Sequence, residues 1–311
     1  MNKRILILGM ICVSLFLAAC AGTVSAPAET PTQTIVPSPS ASSTVQPTAV
    51  PTTPPEETAV PVKGTVTVRG GDTLERDIIP QLCEVFSLSE EEVKDALAIA
   101  QSFLISDELT GFQRMEGIIV PGSYEVTDQS LNDYVNIWIH DAERRYDKLL
   151  AASGDANELE AWKQLTLASI VDWECIGDEF QSETAAVFIN RIHDDAKLQS
   201  CVTVEYALGY ERPFLTLDDI KIDSEYNTYK TRGLPPGPIC ALDEKSLLAA
   251  IGKATDDSLY FFFYDYSLGT MKFFSDYGAF KEEANMSKQL YADTFDIGKY
   301  DKVDKRTAFG Q

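Results

Sequence analysis

A carboxylate closes one of the most apolar stretches of the chain. Leu165-Thr166-Leu167-Ala168-Ser169-Ile170-Val171-Asp172-Trp173-Glu174-Cys175-Ile176 has helical character and brings Glu174 next to an indole. Burial in such a setting disfavours the charged form, so the Glu174 carboxyl is expected to titrate above its ordinary range. A carboxylic acid that keeps its proton near neutrality can serve as a general acid, the group that cleavage of a bond between two sugars requires. Asp172 stands two positions earlier, about 200° around a helix, so the two carboxylates cannot face one site. The residue type alone leaves a plainer reading open, because a glutamate at a helix end is usually solvated or ion-paired.

The elements that must hold Glu174 follow from periodicity. Residues 160–174 read as one apolar helix and 178–193 as a second, separated at Gly177. Upstream, Leu131, Tyr134, Val135, Trp138, Ile139 and Ala142 keep helical spacing across roughly 128–152, which assigns Trp138 to the core. Ser89 and Glu92 form a capping box ahead of a stripe through Val93, Ala96, Leu97, Ala100 and Leu104. Thr65–Val68 reads as a strand, Gly70-Gly71-Asp72 as a turn, and 73–86 as helical. This strand–helix–helix unit, residues 63–115, resembles a LysM-like module. Glu116–Tyr124 reads as a strand-and-turn bridge into the remainder, 116–311. Residues 202–208 suit strand or helix equally, and 243–253 reads as helix. Leu259–Tyr264 is expected to pair with Met271–Phe274 across a turn at Gly269. Helices and strands mix without βαβ regularity, so the fold class is α+β.

The N-terminus is organised differently. Lys3 and Arg4 precede the apolar run Ile5–Leu17, which is short for a membrane span and suited to a signal peptide. It ends in Leu17-Ala18-Ala19-Cys20, which resembles the lipobox of bacterial lipoproteins. That resemblance implies removal of residues 1–19, diacylglycerol on Cys20 and anchoring at the extracytoplasmic face of the cell membrane, where two acyl chains hold stably. An ordinary secretory signal with a chance cysteine is the rival reading. Residues 21–62 hold most of the 15 prolines, with Thr, Ser and Ala and no Lys, Arg or aromatic residue. With Cys20 they form a linker that can build no core. The formal charge of −22 repels nucleic acid and fits an uncharged or mixed-charge polymer, although solubility alone accounts for it as well. Two histidines far apart and no CxxC pair argue against a metal site, and nothing suggests a cofactor. Cys83, Cys175, Cys201 and Cys240 lie in the exported part, where disulfides are permitted, and spacing does not choose among their pairings.

Several segments in order carry a resemblance. They are Thr166–Glu174, Ala186-Val187-Phe188-Ile189-Asn190-Arg191-Ile192, Leu198-Gln199-Ser200, Val204–Leu208, Ile222-Asp223-Ser224-Glu225-Tyr226-Asn227-Thr228-Tyr229, Gly233-Leu234-Pro235-Pro236-Gly237-Pro238-Ile239 and Ser258–Phe262. Glu116-Gly117 through Pro121 to Tyr124 precedes them. Together they resemble the MltG (YceG-like) family of endolytic murein transglycosylases, well over 110–280 and loosely over 63–110. The resemblance implies that Glu174 is the general acid/base of a lytic transglycosylase, cutting the bond between N-acetylmuramic acid and N-acetylglucosamine and leaving 1,6-anhydro ends. It also implies peptidoglycan glycan strands as substrate and peptidoglycan synthases as partners.

Further site residues follow from the same resemblance. Tyr226, Asn227, Thr228 and Tyr229 suit a sugar groove, since rings cover the apolar faces of sugars and an amide can bond an N-acetyl group. A polar turn with two half-buried tyrosines is the plainer alternative. Pro235, Pro236 and Gly237 give a stiff loop whose glycine lets backbone approach a ligand. Gln199 is a sugar contact, and Arg191 a brace of its helix. Cys201 and Cys240 both fall in groove-forming segments, which makes a Cys201–Cys240 disulfide the expected pair. The chain departs from the family at Cys201-Val202, where Asp-Pro is common, at Ala241-Leu242-Asp243, where Asn-Pro-Gly is common, and at Lys272 and Lys281, which stand where histidines are common. These departures motivate an alternative, a weak or inactive peptidoglycan-binding lipoprotein of the same fold. A solute-binding lipoprotein would need a two-lobed α/β pattern that this chain lacks.

Overall fold

The polypeptide chain starts its described path with a strand that finds its partner far along the sequence. The structure, a computed structural model, describes residues 61–175, 179–211, 215–265 and 268–294. Cys20, the signal and all but the last two residues of the linker lie outside them. Strand β1 (Gly64–Val68) pairs antiparallel with β2 (Gly122–Val126), with Val66 opposite Tyr124 and Val68 opposite Gly122. Between them run a widened first turn (Leu74–Ile78) leading into α1 (Ile79–Phe86), and then α2 (Glu90–Ala98). The capping box at Ser89 and Glu92 starts α2 and buries Val93 and Leu97. The sheet formed by β1 and β2 reaches past the expected division at 115/116, to Val126. The bridge is not a strand from Glu116, since a short 3-10 turn (Gly111–Met115) precedes it and the strand begins at Gly122.

Helix α3 (Leu131–Ser153) opens with a second capping box, Ser130 with Asp133. Its buried face contains the expected stripe and continues to Tyr146 and Leu149, and Trp138 is 1% exposed. Each such side chain removed from water contributes roughly 1.5–3 kcal/mol. Helix α4 (Ala161–Glu174) is different: every residue from Gln164 to Val171 is buried, so it runs through the core instead of lying on it. It packs on α5 (Gln181–His193) and α7 (Glu244–Ile251). Residues 202–208, ambiguous in the sequence, belong to helix α6 (Cys201–Leu208), closed by Gly209 in the left-handed conformation. A hairpin of β3 (Phe261–Asp265) and β4 (Thr270–Phe274), with Gly269 at positive φ, precedes α8 (Tyr277–Thr294). No helix among the described residues is long and apolar enough to cross a membrane.

Candidate functional site

Glu174 is the last residue of α4, where the helix leaves the core. The side chain is half-buried, so the dry pocket expected from sequence is partly open. Its Oε1 accepts a hydrogen bond from the Ser200 hydroxyl at 2.6 Å. Ser200 is 3% exposed and is the N-cap residue of α6, but its side chain does not cap that helix. The hydroxyl is thus committed to Glu174. The Ser200 amide donates in turn to Thr228 Oγ1 at 3.0 Å, and the Thr228 and Thr203 hydroxyls meet at 2.9 Å. Two fully buried threonines therefore fix the serine that fixes the glutamate.

Asp172 faces elsewhere, as its position on the helix requires. Its Oδ1 accepts from the Asp243 amide at 3.1 Å and from the Ser246 hydroxyl at 2.8 Å, tying α4 to the start of α7. Asp243 caps α7 by accepting from the Ser246 amide at 2.8 Å. Near the same end of α4, the turn at Gly70 passes so close that a Cβ there would sit 3.4 Å from Asp172 Oδ2. That turn exchanges two backbone hydrogen bonds with Ala241, each 2.8 Å. Asp172 is a joint between segments, and one carboxyl is left facing Ser200.

The loop before α6 carries backbone strain. Gln199 has φ 51°, a left-handed conformation that side chains other than glycine rarely adopt and that concentrates at binding sites. The Gln199 amide donates to the Thr228 carbonyl at 3.2 Å, and its side chain is half-buried. Arg191 anchors this loop: it donates to the Leu198 carbonyl at 2.5 Å and, through Nε and Nη2, to the Tyr260 carbonyl at 2.8 and 2.6 Å.

Several expected sugar contacts prove to be internal. Asn227 is 0% exposed; its Nδ2 donates to the carbonyls of Ile220 and Ile222 at 3.0 and 2.8 Å, and its Oδ1 accepts from the Tyr229 amide at 3.1 Å. An amide with these bonds closes its own loop and is not presented to an N-acetyl group. Thr228 is likewise spent on Ser200 and Thr203. Gly237 is small because Leu109 lies against it, with a Cβ falling 2.5 Å from Leu109 Cδ1, so its role is close packing and not ligand approach. Pro235 is buried in the same loop and Pro236 half-buried. The loop is pinned to α4 by the Ile239 amide donating to Ser169 Oγ at 3.0 Å. Tyr226 and Tyr229 remain half-buried, with the Tyr229 hydroxyl 3.1 Å from Cys201 Sγ.

The Cys201–Cys240 disulfide is not formed. All four described cysteines are free thiols. Cys240 is fully buried and donates to the Ser169 carbonyl at 3.4 Å, whereas Cys201 is turned toward Tyr229. Cys175, beside Glu174, donates to Thr184 Oγ1 at 3.2 Å, and burial pushes its thiol up to about 12, with the Glu174 and Asp172 charges adding. Among the described residues no three His, Cys, Asp or Glu side chains are grouped to hold a metal ion.

Ser200 is the candidate site residue that sequence reasoning passed over. A lone serine carries no signal by type; only its place in Leu198-Gln199-Ser200 marked it.

Comparison with known proteins gives this geometry a context. The YceG-like family profile matches residues 52–286. An endolytic murein transglycosylase of Bacillus subtilis is 34% identical over 149 residues, covering 47% of this chain and 41% of that protein. One from Streptococcus pneumoniae is 29% identical over 234 residues, covering 66% of this chain and 41% of that protein. The chain thus spans about two-fifths of the length of these curated relatives. A crystal structure of a YceG-like protein from Listeria monocytogenes shares the fold, with TM-score 0.60 at 24% identity over 74% of this chain and 77% of the other. With most of its described length, and both Glu174 and Ser200, inside the matched region, this chain belongs to the YceG-like family.

Proposed function

We propose that this protein is an endolytic lytic transglycosylase of peptidoglycan, with Glu174 as its single acid/base. The observation that carries the reading is the Ser200 hydroxyl on Glu174 Oε1, at the point where the core helix ends. One carboxyl oxygen is held and the other is left for proton transfer. Glu174 in its acid form donates to the oxygen linking N-acetylmuramic acid to N-acetylglucosamine, and the C1–O4 bond breaks as positive charge develops at C1. The carboxylate then takes the proton of the same sugar's 6-hydroxyl, whose oxygen closes on C1. A 1,6-anhydro ring forms, the proton is returned, and no water is consumed. Because one group serves both steps, no partner carboxylate is needed at the spacing that hydrolases require. Gln199, strained and beside Ser200, and the half-buried Tyr226 and Tyr229 are the groove residues this reading keeps.

Two finer readings belong to the same proposal. The unit formed by β1, α1 and α2 is LysM-like and would bind glycan ahead of the cleavage site. Cys20 carries the lipid, the linker spans from the outer face of the cell membrane into the wall, and synthases that make new strands are the partners. The test is incubation of the full-length protein with uncrosslinked glycan strands, alongside Glu174→Gln, with mass spectrometry of the products. Anhydro-ended fragments from the parent protein alone are expected. No product from the parent, where a related enzyme is active, would favour a peptidoglycan-binding lipoprotein without turnover. Products from both would move catalysis away from Glu174.

A further inference from the structure

A second carboxyl lies deep in the molecule and takes no part in the steps above. Glu116 is 2% exposed. Its Oε1 accepts from the Leu74 amide at 3.1 Å, and its Oε2 accepts from the Tyr206 hydroxyl at 3.0 Å. Leu74 opens the turn that follows β1, and Tyr206 lies on α6, the helix that begins just after Ser200. The Tyr206 ring packs on Tyr226 with centroids 4.8 Å apart, and the Tyr226 hydroxyl is buried beside it. One carboxyl therefore connects the N-terminal sheet unit, α6 and the Tyr226 loop.

We propose that Glu116 is a positioning residue for the cleavage site, holding α6 through Tyr206 so that Ser200 meets Glu174. The proposal rests on the lytic reading for its consequence in turnover, and on geometry alone for the hold on α6.

The charges around Glu116 decide which form it adopts. Burial pushes its carboxyl up to about 8; the Leu74 amide and the Tyr206 hydroxyl pull the other way, Asp77 adds to the rise and Arg76 opposes it. Arg76 is itself engaged by Asp77 and by the buried Glu211, each at 3.0 Å, so two carboxylates already share its charge. Glu75 acts on Tyr206 and Glu225 on Tyr226, both adding negative charge. Burial also drives both phenols up, so neither yields a proton to Glu116 in the working range. With its proton on, Glu116 offers Tyr206 a donor as well as an acceptor. Losing the proton leaves an anion in the interior, a strongly unfavourable state that opening of the packing relieves.

The experiment compares the full-length protein with Glu116→Gln, Glu116→Ala and Tyr206→Phe. Hydrogen exchange in segments 200–208 and 223–230, corrected for the intrinsic pH effect, is followed at pH 6 and pH 9. Turnover on glycan strands is measured in parallel. In the parent, exchange should rise about tenfold between the two pH values and kcat should fall with it, KM changing little. Glu116→Gln, a neutral isostere, should keep low exchange at both, and its kcat should fall less than that of the parent. Glu116→Ala and Tyr206→Phe should exchange fast already at pH 6. Parent-like exchange in both of these variants at pH 6, or a parent-like pH response in Glu116→Gln, overturns the proposal. Failure of the parent to cut strands removes the lytic reading, while the exchange still decides whether Glu116 holds α6.

Discussion

The Ser200 hydroxyl donates to Glu174 Oε1 at 2.6 Å, joining the end of one helix to the start of another. The two residues stand 26 positions apart. Their contact depends on α4 running through the core and on α6 starting beside its exit. A hydrogen bond to a carboxylate is worth about 1.5–3 kcal/mol, and here it restrains the rotamer of the proposed acid/base. Glu174→Gln keeps the shape and the contact but cannot deliver a proton. Its expected effect is a loss of about 10²–10⁴-fold in anhydro-product formation, with a thermal midpoint close to that of the parent. Product mass spectrometry paired with calorimetry checks both halves.

Ser200→Ala separates positioning from chemistry. The acid remains, so turnover should persist at about a tenth to a hundredth of the parent rate, with KM little altered, because the lost bond orients Glu174 and does not touch the strand. Stability should fall by about 1.5–3 kcal/mol. Steady-state kinetics on defined strands decide: an unchanged kcat would show that Glu174 needs no such restraint.

Asn227 and Gln199 make opposite demands on the same loop pair. Asn227→Ala removes three buried hydrogen bonds to backbone groups of 220, 222 and 229. It should cost about 2–4 kcal/mol of stability, since the Ile220 carbonyl and the Tyr229 amide lose the bonds that Asn227 supplies. Gln199→Ala touches a half-buried side chain and should leave the denaturation midpoint within about 0.5 kcal/mol of the parent while raising KM. Gln199→Gly should go further and stabilise the fold slightly, because glycine adopts φ 51° without strain. Urea denaturation read beside strand binding tells the two roles apart.

How much of this was readable in the sequence depends on how far away each residue's partner lies. Capping boxes at Ser89 and the stripe on α3 are local patterns, and both elements form as the periodicity requires. The end of α4 at Glu174 was legible too, because an apolar run stops there. The pairing of β1 with β2 was not: Gly122–Val126 is mostly exposed and shows no clean alternation, so only its partner defines it as a strand. Asn227 was misread for the same reason. Its type suits a sugar amide, but the carbonyls that claim it come together only once the loop has closed. Gly237 looked like room for a ligand, and the space belongs to Leu109. Ser200 became visible only when the two helix ends were brought together.

Gly237 yields a packing prediction. A methyl group there would fall 2.5 Å from Leu109 Cδ1 and 3.1 Å from its Cδ2. Leu109 is 6% exposed and has little space to retreat. Gly237→Ala should therefore destabilise by about 1–3 kcal/mol. Combining it with Leu109→Ala should cost less than the sum of the two single changes, since the second removes the atoms that the first strikes. Additive costs in a double-mutant cycle would mean that the loop shifts as a whole instead.

The pH dependence of stability should carry the signature of Glu116. Its carboxyl has an ordinary value of 4.5 and is raised by burial to about 8 in the folded protein. Between those values the folded chain binds a proton that the unfolded chain has released. The stabilisation is therefore fully present below about 4.5, is lost as pH rises toward 8, and changes no further above it. The contribution to the slope reaches at most about 1.4 kcal/mol per pH unit. Other groups titrate over the same range, so the decisive quantity is the difference between the parent and Glu116→Gln. That variant has no proton to lose at this position and should overtake the parent in stability as pH approaches 8. Urea melts at half-unit intervals from pH 5 to pH 9 measure the difference. Parallel curves would mean that Glu116 is ionised throughout, with the buried negative charge balanced by Arg76 despite its two other partners.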